Sequence, residues 1–275
     1  MTRHDRCVVT ASDADYFPAL IALLRSLRRT NPHLDVVVFD GGLTKRQSAR
    51  VRAFADVIPK KPSVELEGRG KFSYIGNTTL LKLEVTDLDY DKVLYLDADT
   101  VVLDAIDELF SFPKGTVGVV NERTALKNIF RVQHREMLKE VIDADWERPA
   151  FNAGLFALRP AEWRYLPDMA RELIEKFGAD VFSKTKDQQL LNLIFRAKTC
   201  SFPGRYNFSP FYDDAGECAP AVIHYLTQCK PWHSGYPRGY FYDRFRSNIT
   251  AADFPEIVLV DIRRAFEKIK LSGRR

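Results

Sequence analysis

Apolar residues come in short, dense runs along this chain, each cut off by polar, glycine or proline residues. Cys7-Val8-Val9-Thr10-Ala11 predicts a first strand, which Ser12-Asp13-Ala14-Asp15 breaks. Pro18 suits the first turn of a helix, whose apolar face is Leu20, Ile21, Leu23, Leu24 and Leu27, with Arg25, Arg28 and Arg29 outside it. Asn31-Pro32 ends that helix, and Val36-Val37-Val38-Phe39 predicts a second strand closed by Asp40-Gly41-Gly42. Thr44 can cap a second helix running to about Phe54, followed by a short strand at Val57-Ile58. This β-α-β-α-β order begins a doubly wound α/β sheet. No G-x-G-x-x-G follows the first strand, which argues against a dinucleotide site.

From Pro59 to Gly76 the chain is rich in Gly, Lys and Glu and predicts a mobile loop. A helix then starts at Thr78 or Thr79, carrying Leu80, Leu81, Leu83 and Val85. Val93-Leu94-Tyr95-Leu96 is uninterrupted apolar sequence, the mark of a strand buried on both faces, and it ends abruptly in Asp97-Ala98-Asp99. Further strands are predicted at Thr100 to Leu103, Val117 to Val120 and Phe151 to Leu158. Helices are predicted at Asp104 to Phe110, Leu126 to Val141, Asp168 to Phe177 and Asp187 to Phe195. From Phe202 to Tyr242, Pro, Gly and aromatic residues dominate, so this part is expected to fold irregularly over the sheet, where a pocket or lid tends to sit. No linker divides the chain, and one domain over 1–275 is expected, with divisions at 1–120, 121–245 and 246–275.

The candidate chemistry begins at Asp97 and Asp99. In open α/β sheets ligands bind beyond the carboxyl ends of strands. Two carboxylates one residue apart repel unless a cation lies between them, and a hard divalent ion such as Mg²⁺ or Mn²⁺ fits oxygen ligands. Two strand-end aspartates also cap ordinary turns, so this stretch alone leaves both readings open. His224, inside the apolar run Ala221-Val222-Ile223-His224-Tyr225, is either a third ligand or a hydrogen-bonded core residue.

Composition narrows the class. The chain has 275 residues, 45% of them hydrophobic, enough for a full core. No apolar run approaches the roughly 18 residues of a membrane span. Met1 to Arg6 leads into Val8-Val9 without the apolar segment of a signal peptide, so a cytoplasmic protein is expected. The four cysteines show no metal-ligand spacing and are expected to be reduced. A net charge of +4 is too modest to suggest nucleic acid. It is uneven, however: Arg263 to Arg275 is strongly basic with apolar residues interleaved, a pattern shared by solvated terminal helices and membrane-peripheral segments.

Six segments in order resemble glycosyltransferase family 8, which includes glycogenin and bacterial lipopolysaccharide galactosyl- and glucosyltransferases. They are Thr10-Ala11-Ser12-Asp13-Ala14-Asp15-Tyr16, Thr79-Leu80-Leu81-Lys82-Leu83, and Tyr95-Leu96-Asp97-Ala98-Asp99-Thr100 with Ile106-Asp107-Glu108-Leu109-Phe110. The others are Phe151-Asn152-Ala153-Gly154-Leu155-Phe156, Asp187-Gln188 with Leu191-Asn192, and His224-Tyr225 with Lys230-Pro231-Trp232. The resemblance runs from the first strand to about Trp232. It implies a single Rossmann-like domain of the glycosyltransferase-A type, with a mostly parallel central sheet and helices on both faces. Residues 1–120 would then form the nucleotide-binding half, 121–245 the donor and acceptor half, and 246–275 a basic tail. It further implies a retaining hexosyltransferase using a UDP-sugar and Mn²⁺ or Mg²⁺.

By the same resemblance, Asp97, Asp99 and His224 ligate the metal. Thr10, Ala11, Ser12, Asp13 and Tyr16 hold the uridine. Ala98, Asn152, Ala153, Gly154, Thr227 and Lys230 complete the donor site, and Asp187, Gln188 and Lys82 are catalytic. Expected partners are the UDP-sugar and a saccharide, glycolipid or protein acceptor. The charge of the basic tail favours a solvated terminal helix, with peripheral membrane contact as the alternative, and a homodimer is left open. Two positions depart from the pattern. Thr227 stands where the family has a glycine that lets backbone approach the donor, and Gln189 stands where glycogenin has glycine, on the expected acceptor side. Two other readings stand beside this one. A strand ending in Asp-x-Asp-x-Thr also fits a haloacid dehalogenase-type phosphatase, with Asp97 as nucleophile. A catalytically silent UDP-sugar binder has only Thr227 in its favour.

Overall fold

The computed structural model describes residues 4–66, 76–214, 216, 218–233, 235–260 and 262. The middle of the loop predicted from Pro59 to Gly76 and the basic tail from Arg263 onward lie outside the described residues. The strands of the main sheet are β1 (His4–Ser12), β2 (Asp35–Asp40), β3 (Asp56–Pro59), β4 (Tyr90–Leu96), β6 (Val117–Ala125), β7 (Pro149–Leu158) and β8 (Thr199–Ser201), while β5 (Thr100–Val102) and β9 (Val222–His224) pair separately. The α-helices are α1 (Phe17–Thr30), α2 (Lys45–Val51), α3 (Val132–Lys139), α4 (Leu166–Phe177), α5 (Asp187–Ile194) and α6 (Tyr240–Arg246).

The seven-stranded sheet runs β3-β2-β1-β4-β7-β6-β8 and is mostly parallel, with β7 antiparallel to both of its neighbours. The strand alternation divides the core between the two faces. Val9 and Tyr95 face a cluster closed by residues 80–85, α4 and α5, and Val8 and Leu94 face one closed by α1. The chain moves outward from β1 to β2 and β3, then crosses to the other side of β1 as β4. That reversal opens a crevice between the carboxyl ends of β1 and β4, where α/β sheets bind ligands.

Some elements depart from the sequence pattern. Residues Asn77–Asp87 form a 3₁₀ helix with all of Leu80 to Val85 buried, so no apolar stripe sets an α-helical period there. The predicted Leu126 to Val141 helix splits into a 3₁₀ turn at Leu126–Ile129 and α3, because Phe130 adopts extended backbone and packs on Trp146 with ring centroids 5.9 Å apart. Likewise Asp107–Phe110 is a single 3₁₀ turn. β6 extends past Val120 to Ala125, with shifts in its register against β7. No helix among the described residues is long and apolar enough to cross a membrane.

The last third packs on α1 through a third apolar cluster of Ala19, Ala22, Val101, Tyr225, Trp232, Phe245 and Val260, among others. An ionic latch reinforces it. The Asp253 carboxylate, wholly buried, accepts from Arg25 at 2.5 Å, from the Thr250 amide at 2.7 Å, and from Arg50. Burial alone would raise this carboxyl, but Arg25 and Thr250 outweigh it and hold it below the usual range. Asp253→Ala, which strands two arginines, is expected to cost about 3 kcal/mol in denaturant unfolding. A depressed folded-state pKa stabilises above the unfolded value of about 3.9, so the wild-type advantage should fade as pH falls through the folded value.

Candidate functional site

The crevice between β1 and β4 widens into a cleft of about 1500 Å³. Ala11, Ser12, Asp13 and Tyr16 enter it from the end of β1, and Asp97, Ala98 and Asp99 from the end of β4. Asn152, Ala153 and Gly154 reach it from β7, Asp187 and Gln188 from the first turn of α5, and His224 and Lys230 from β9 and the segment after it. Each of the six matching segments therefore contributes at least one residue to one cavity.

Backbone pairing brings distant residues together. The Asp97 amide donates to the Gly154 carbonyl at 2.8 Å, continuing the β4–β7 ladder. Thr100 pairs directly with His224 across β5 and β9, and the Tyr225 amide donates to the Asp99 carbonyl at 3.0 Å. His224 is thereby set against residues more than a hundred positions earlier.

Each aspartate divides its two oxygens. Asp97 accepts through Oδ1 from Lys82 Nζ at 3.0 Å and turns Oδ2 toward His224 Nε2, 3.8 Å away. Asp99 accepts through Oδ2 from Lys230 Nζ at 2.6 Å and turns Oδ1 toward the same imidazole nitrogen, at 3.2 Å. His224 Nδ1 donates to Asn207 Oδ1 at 2.8 Å, which leaves the Nε2 lone pair facing the two carboxylates. One ligand atom from each residue lies within 4.8 Å of the others. Two carboxylate oxygens and one imidazole nitrogen suit Mn²⁺ or Mg²⁺. Gly154 keeps this space open, since a Cβ there would lie 2.1 Å from His224 Cε1 and 2.8 Å from Asp97 Oδ2. Burial alone would raise the Asp99 carboxyl, but Lys230 and His224 outweigh it and hold it well below the usual carboxylate range.

Lys82 sits beneath the cleft rather than in it. Its side chain has no exposed surface, and its ammonium also bonds Asp187 Oδ2 at 2.5 Å and the Ala153 carbonyl at 3.1 Å. Burial opposes its charge, but Asp187 and Asp97 overcome that cost and raise its pKa. Lys82 therefore meets the cleft only through the carboxylates it positions.

Three other expected residues stand aside. Thr10 is fully buried within β1, one residue below the cleft wall. Thr227 does not line the cleft, and its hydroxyl donates to the Cys229 carbonyl at 2.7 Å. Its backbone is not left-handed, so the loop here takes a shape that a Cβ tolerates. Gln189 points away from the expected acceptor side. Its Oε1 accepts from the Lys184 and Thr185 amides and its Nε2 donates to the Val181 carbonyl, bracing the turn before α5. That turn contains Lys186 at φ 41°, a left-handed backbone costing on the order of 1–3 kcal/mol, between the cleft residues Thr185 and Asp187.

Two residues of the cleft lay outside the sequence reading. Asn207 fixes the His224 tautomer, as described. Glu122 lies on the irregular half of β6, where a bulge re-aims side chains. It accepts from Asn152 Nδ2 at 3.0 Å and Gln188 Nε2 at 3.1 Å, and burial raises its carboxyl despite those bonds. Neither carries a local signal, because each is defined by a partner at least 17 residues away.

Residues 7–235 match the model of Glycosyl transferase family 8, and the chain belongs to that family. Glycosyltransferase GlyE of Streptococcus pneumoniae is 25% identical over 257 residues, covering 85% of this chain and 58% of GlyE. Human glycogenin-2 is 27% identical over 261 residues, covering 86% of this chain and 45% of glycogenin-2. The chain thus spans about half the length of these curated relatives. The crystal structure of the galactosyltransferase LgtC with donor and acceptor sugar analogs superposes with a TM-score of 0.73 at 22% identity, covering 90% of this chain and 99% of that one. The fold is the glycosyltransferase-A type. Family membership sets aside the dehalogenase-type phosphatase.

Replacing Lys82 with Met leaves two carboxylates without their shared cation. The Lys82→Met protein is expected to lose about 3–5 kcal/mol of stability by chemical denaturation, far more than loss of an exposed ligand-binding lysine would cost.

Proposed function

We propose that this protein is a retaining, metal-dependent glycosyltransferase that moves a hexosyl group, glucose or galactose, from a UDP-sugar to a saccharide, glycolipid or protein acceptor. The observation that carries the reading is the convergence of Asp97 Oδ2, Asp99 Oδ1 and His224 Nε2 at the cleft floor, with the other oxygen of each carboxylate already neutralised by a lysine. A divalent cation held there would neutralise charge on the departing diphosphate.

The chain's own groups supply the rest. Ala11 to Tyr16 form the edge expected to hold the uridine. Asp13 is oriented for that task by the Asp15 and Tyr16 amides at Oδ1 and the Thr78 hydroxyl at Oδ2. Lys230 lines the cleft as a buried cation beside Asp99 and supports the diphosphate end. Asn152 and Gln188 face the sugar hydroxyls. Glu122 accepts from both amide nitrogens and Asn152 Nδ2 also donates to Gln188 Oε1 at 3.5 Å, so one network orients both amides toward the donor sugar. Asp187 is bound to Lys82, which weakens it as a nucleophile and supports same-face attack, in which the departing phosphate takes the acceptor's proton.

Slow hydrolysis of a panel of UDP-sugars tests this reading. Release of UDP from one sugar, dependent on Mn²⁺ and abolished by chelator or by Asp99→Asn, is the expected result. Absence of both turnover and metal-dependent UDP binding would refute it. In the active preparation, Asp187→Asn should cost far more in turnover than in UDP affinity, and equal losses would count against its catalytic role. Glu122→Ala frees both amides and is expected to lower kcat by about 10²-fold with UDP affinity little changed, the scale on which misplaced reacting groups cost rate.

A further inference from the structure

One basic residue of the cleft stands without a counter-charge. Lys184 lines it from the turn before α5 with a half-buried side chain, and its ammonium donates to the Asn128 carbonyl at 2.6 Å. Among the described residues no carboxylate pairs with it. Burial and the neighbouring Arg131 guanidinium press its pKa below the usual lysine range. Asp180, four residues earlier, has partners of its own in Arg131 at 3.6 Å and His134 at 3.2 Å. Of the cleft's other carboxylates, Glu122 accepts from Asn152 and Gln188, while Asp213 and Asp214 accept from the Ser209 and Gly216 amides. An ammonium pressed by a guanidinium is unfavourable by itself and becomes favourable beside an anion.

A second group points the same way. The Thr185 hydroxyl is buried, on a residue that also lines the cleft, yet it has no hydrogen-bond partner among the described residues. The backbone of Thr185 is fixed on both sides. Its amide donates to Gln189 Oε1 at 2.9 Å, and its carbonyl accepts from the Gln188 amide at 3.0 Å. A buried hydroxyl without a partner is costly, and one held rigidly next to a lysine in the chain is a ready donor to an oxyanion.

The place of this pair in the fold tells which part of a substrate it meets. Asn128, which holds the ammonium, follows β6, two strands along the sheet from β4 and its aspartates. Strands lie about 4.8 Å apart, so the pair stands roughly 10 Å along the sheet from the end that faces the diphosphate, past Asn152 and Gln188. We infer that Lys184 and Thr185 form an acceptor subsite for an oxyanion, so that the acceptor is a saccharide carrying a phosphate or carboxylate group. The ammonium meets the anionic oxygens, and the Thr185 hydroxyl donates to one of them. Assignment of the anion to the acceptor rests on the proposed transfer reaction, whereas the anion site itself does not.

The test is calorimetric titration of the full chain with glucose 6-phosphate, glucuronate and glucose, in phosphate-free buffer with Mn²⁺ and saturating UDP to occupy the rival site at Asp97, Asp99 and His224. At least one of the two anions is expected to bind tenfold or more tighter than glucose, and the better of them tells phosphate from carboxylate. Lys184→Met is expected to weaken that binding about tenfold and Thr185→Val by a few-fold, whereas Lys114→Met, at an exposed lysine, leaves it intact. If Lys184→Met lowers Tm, Lys184→Gln carries the same expectation. Glucose bound as tightly as both anions, or anion binding indifferent to the Lys184 variants, overturns the subsite. UDP binding, measured in the same series, separates the two readings. Lys184-dependent anion binding without any UDP binding overturns the assignment to an acceptor together with the transfer reading, while UDP binding without anion binding overturns the subsite alone.

Discussion

Two carboxylates at the end of one strand, each half-neutralised by a buried lysine, are the constraint on which the rest of the molecule depends. Unit charges about 4 Å apart interact with some 4 kcal/mol at an effective dielectric of 20, so Asp97 and Asp99 could not be held together uncompensated. Their compensation comes from two opposite directions. Lys82 rises from a 3₁₀ helix, buried from Leu80 to Val85, on one face of the sheet, and Lys230 descends from the irregular last third on the other side of the cleft. Each lysine uses one carboxylate oxygen and leaves the other. What remains, with His224 Nε2, is a three-pronged set of lone pairs that face one another, so the same residues that make the fold electrostatically tenable also form the candidate metal cluster.

The sheet topology explains where this happens. Reversal of strand order between β1 and β4 leaves room at their carboxyl ends that no crossover fills, and β7, running antiparallel, delivers Asn152 to Gly154 into that space. The strand neighbouring the aspartates must come close without a side chain, and Gly154 meets that demand. A one-residue slip of β7 would put Ala153 or Leu155 in its place and reverse every side chain on the strand.

Much of this was legible from sequence because the signals are local. A run of apolar residues ending in Asp-x-Asp marks a buried strand opening at a surface, and the Asn-Ala-Gly strand and Asp-Gln helix start are compact motifs of the same kind. What the sequence did not show is which way individual side chains turn. Lys82 reads as a cationic ligand but is sealed under the cleft, and Gln189 reads as an acceptor-side residue but braces a turn. Thr10 belongs to a matching segment yet is fully buried and does not line the cleft. Glu122 and Asn207 were invisible for the complementary reason, since their roles exist only relative to Gln188, Asn152 and His224. The helix at Asn77–Asp87 was legible as a helix but not as a 3₁₀ one, because burial of every residue from Leu80 to Val85 removes the periodicity that distinguishes one helix from another.

The pairing of β5 with β9 also carries a temporal consequence. Asp97 and Asp99 leave the ribosome long before His224 and Lys230, and chains emerge amino end first. Until the last of these four arrives, the aspartates lack both the imidazole and the lysine that face them across the cleft. During synthesis Asp97, Asp99 and His224 therefore come face to face only as the final third closes over the sheet.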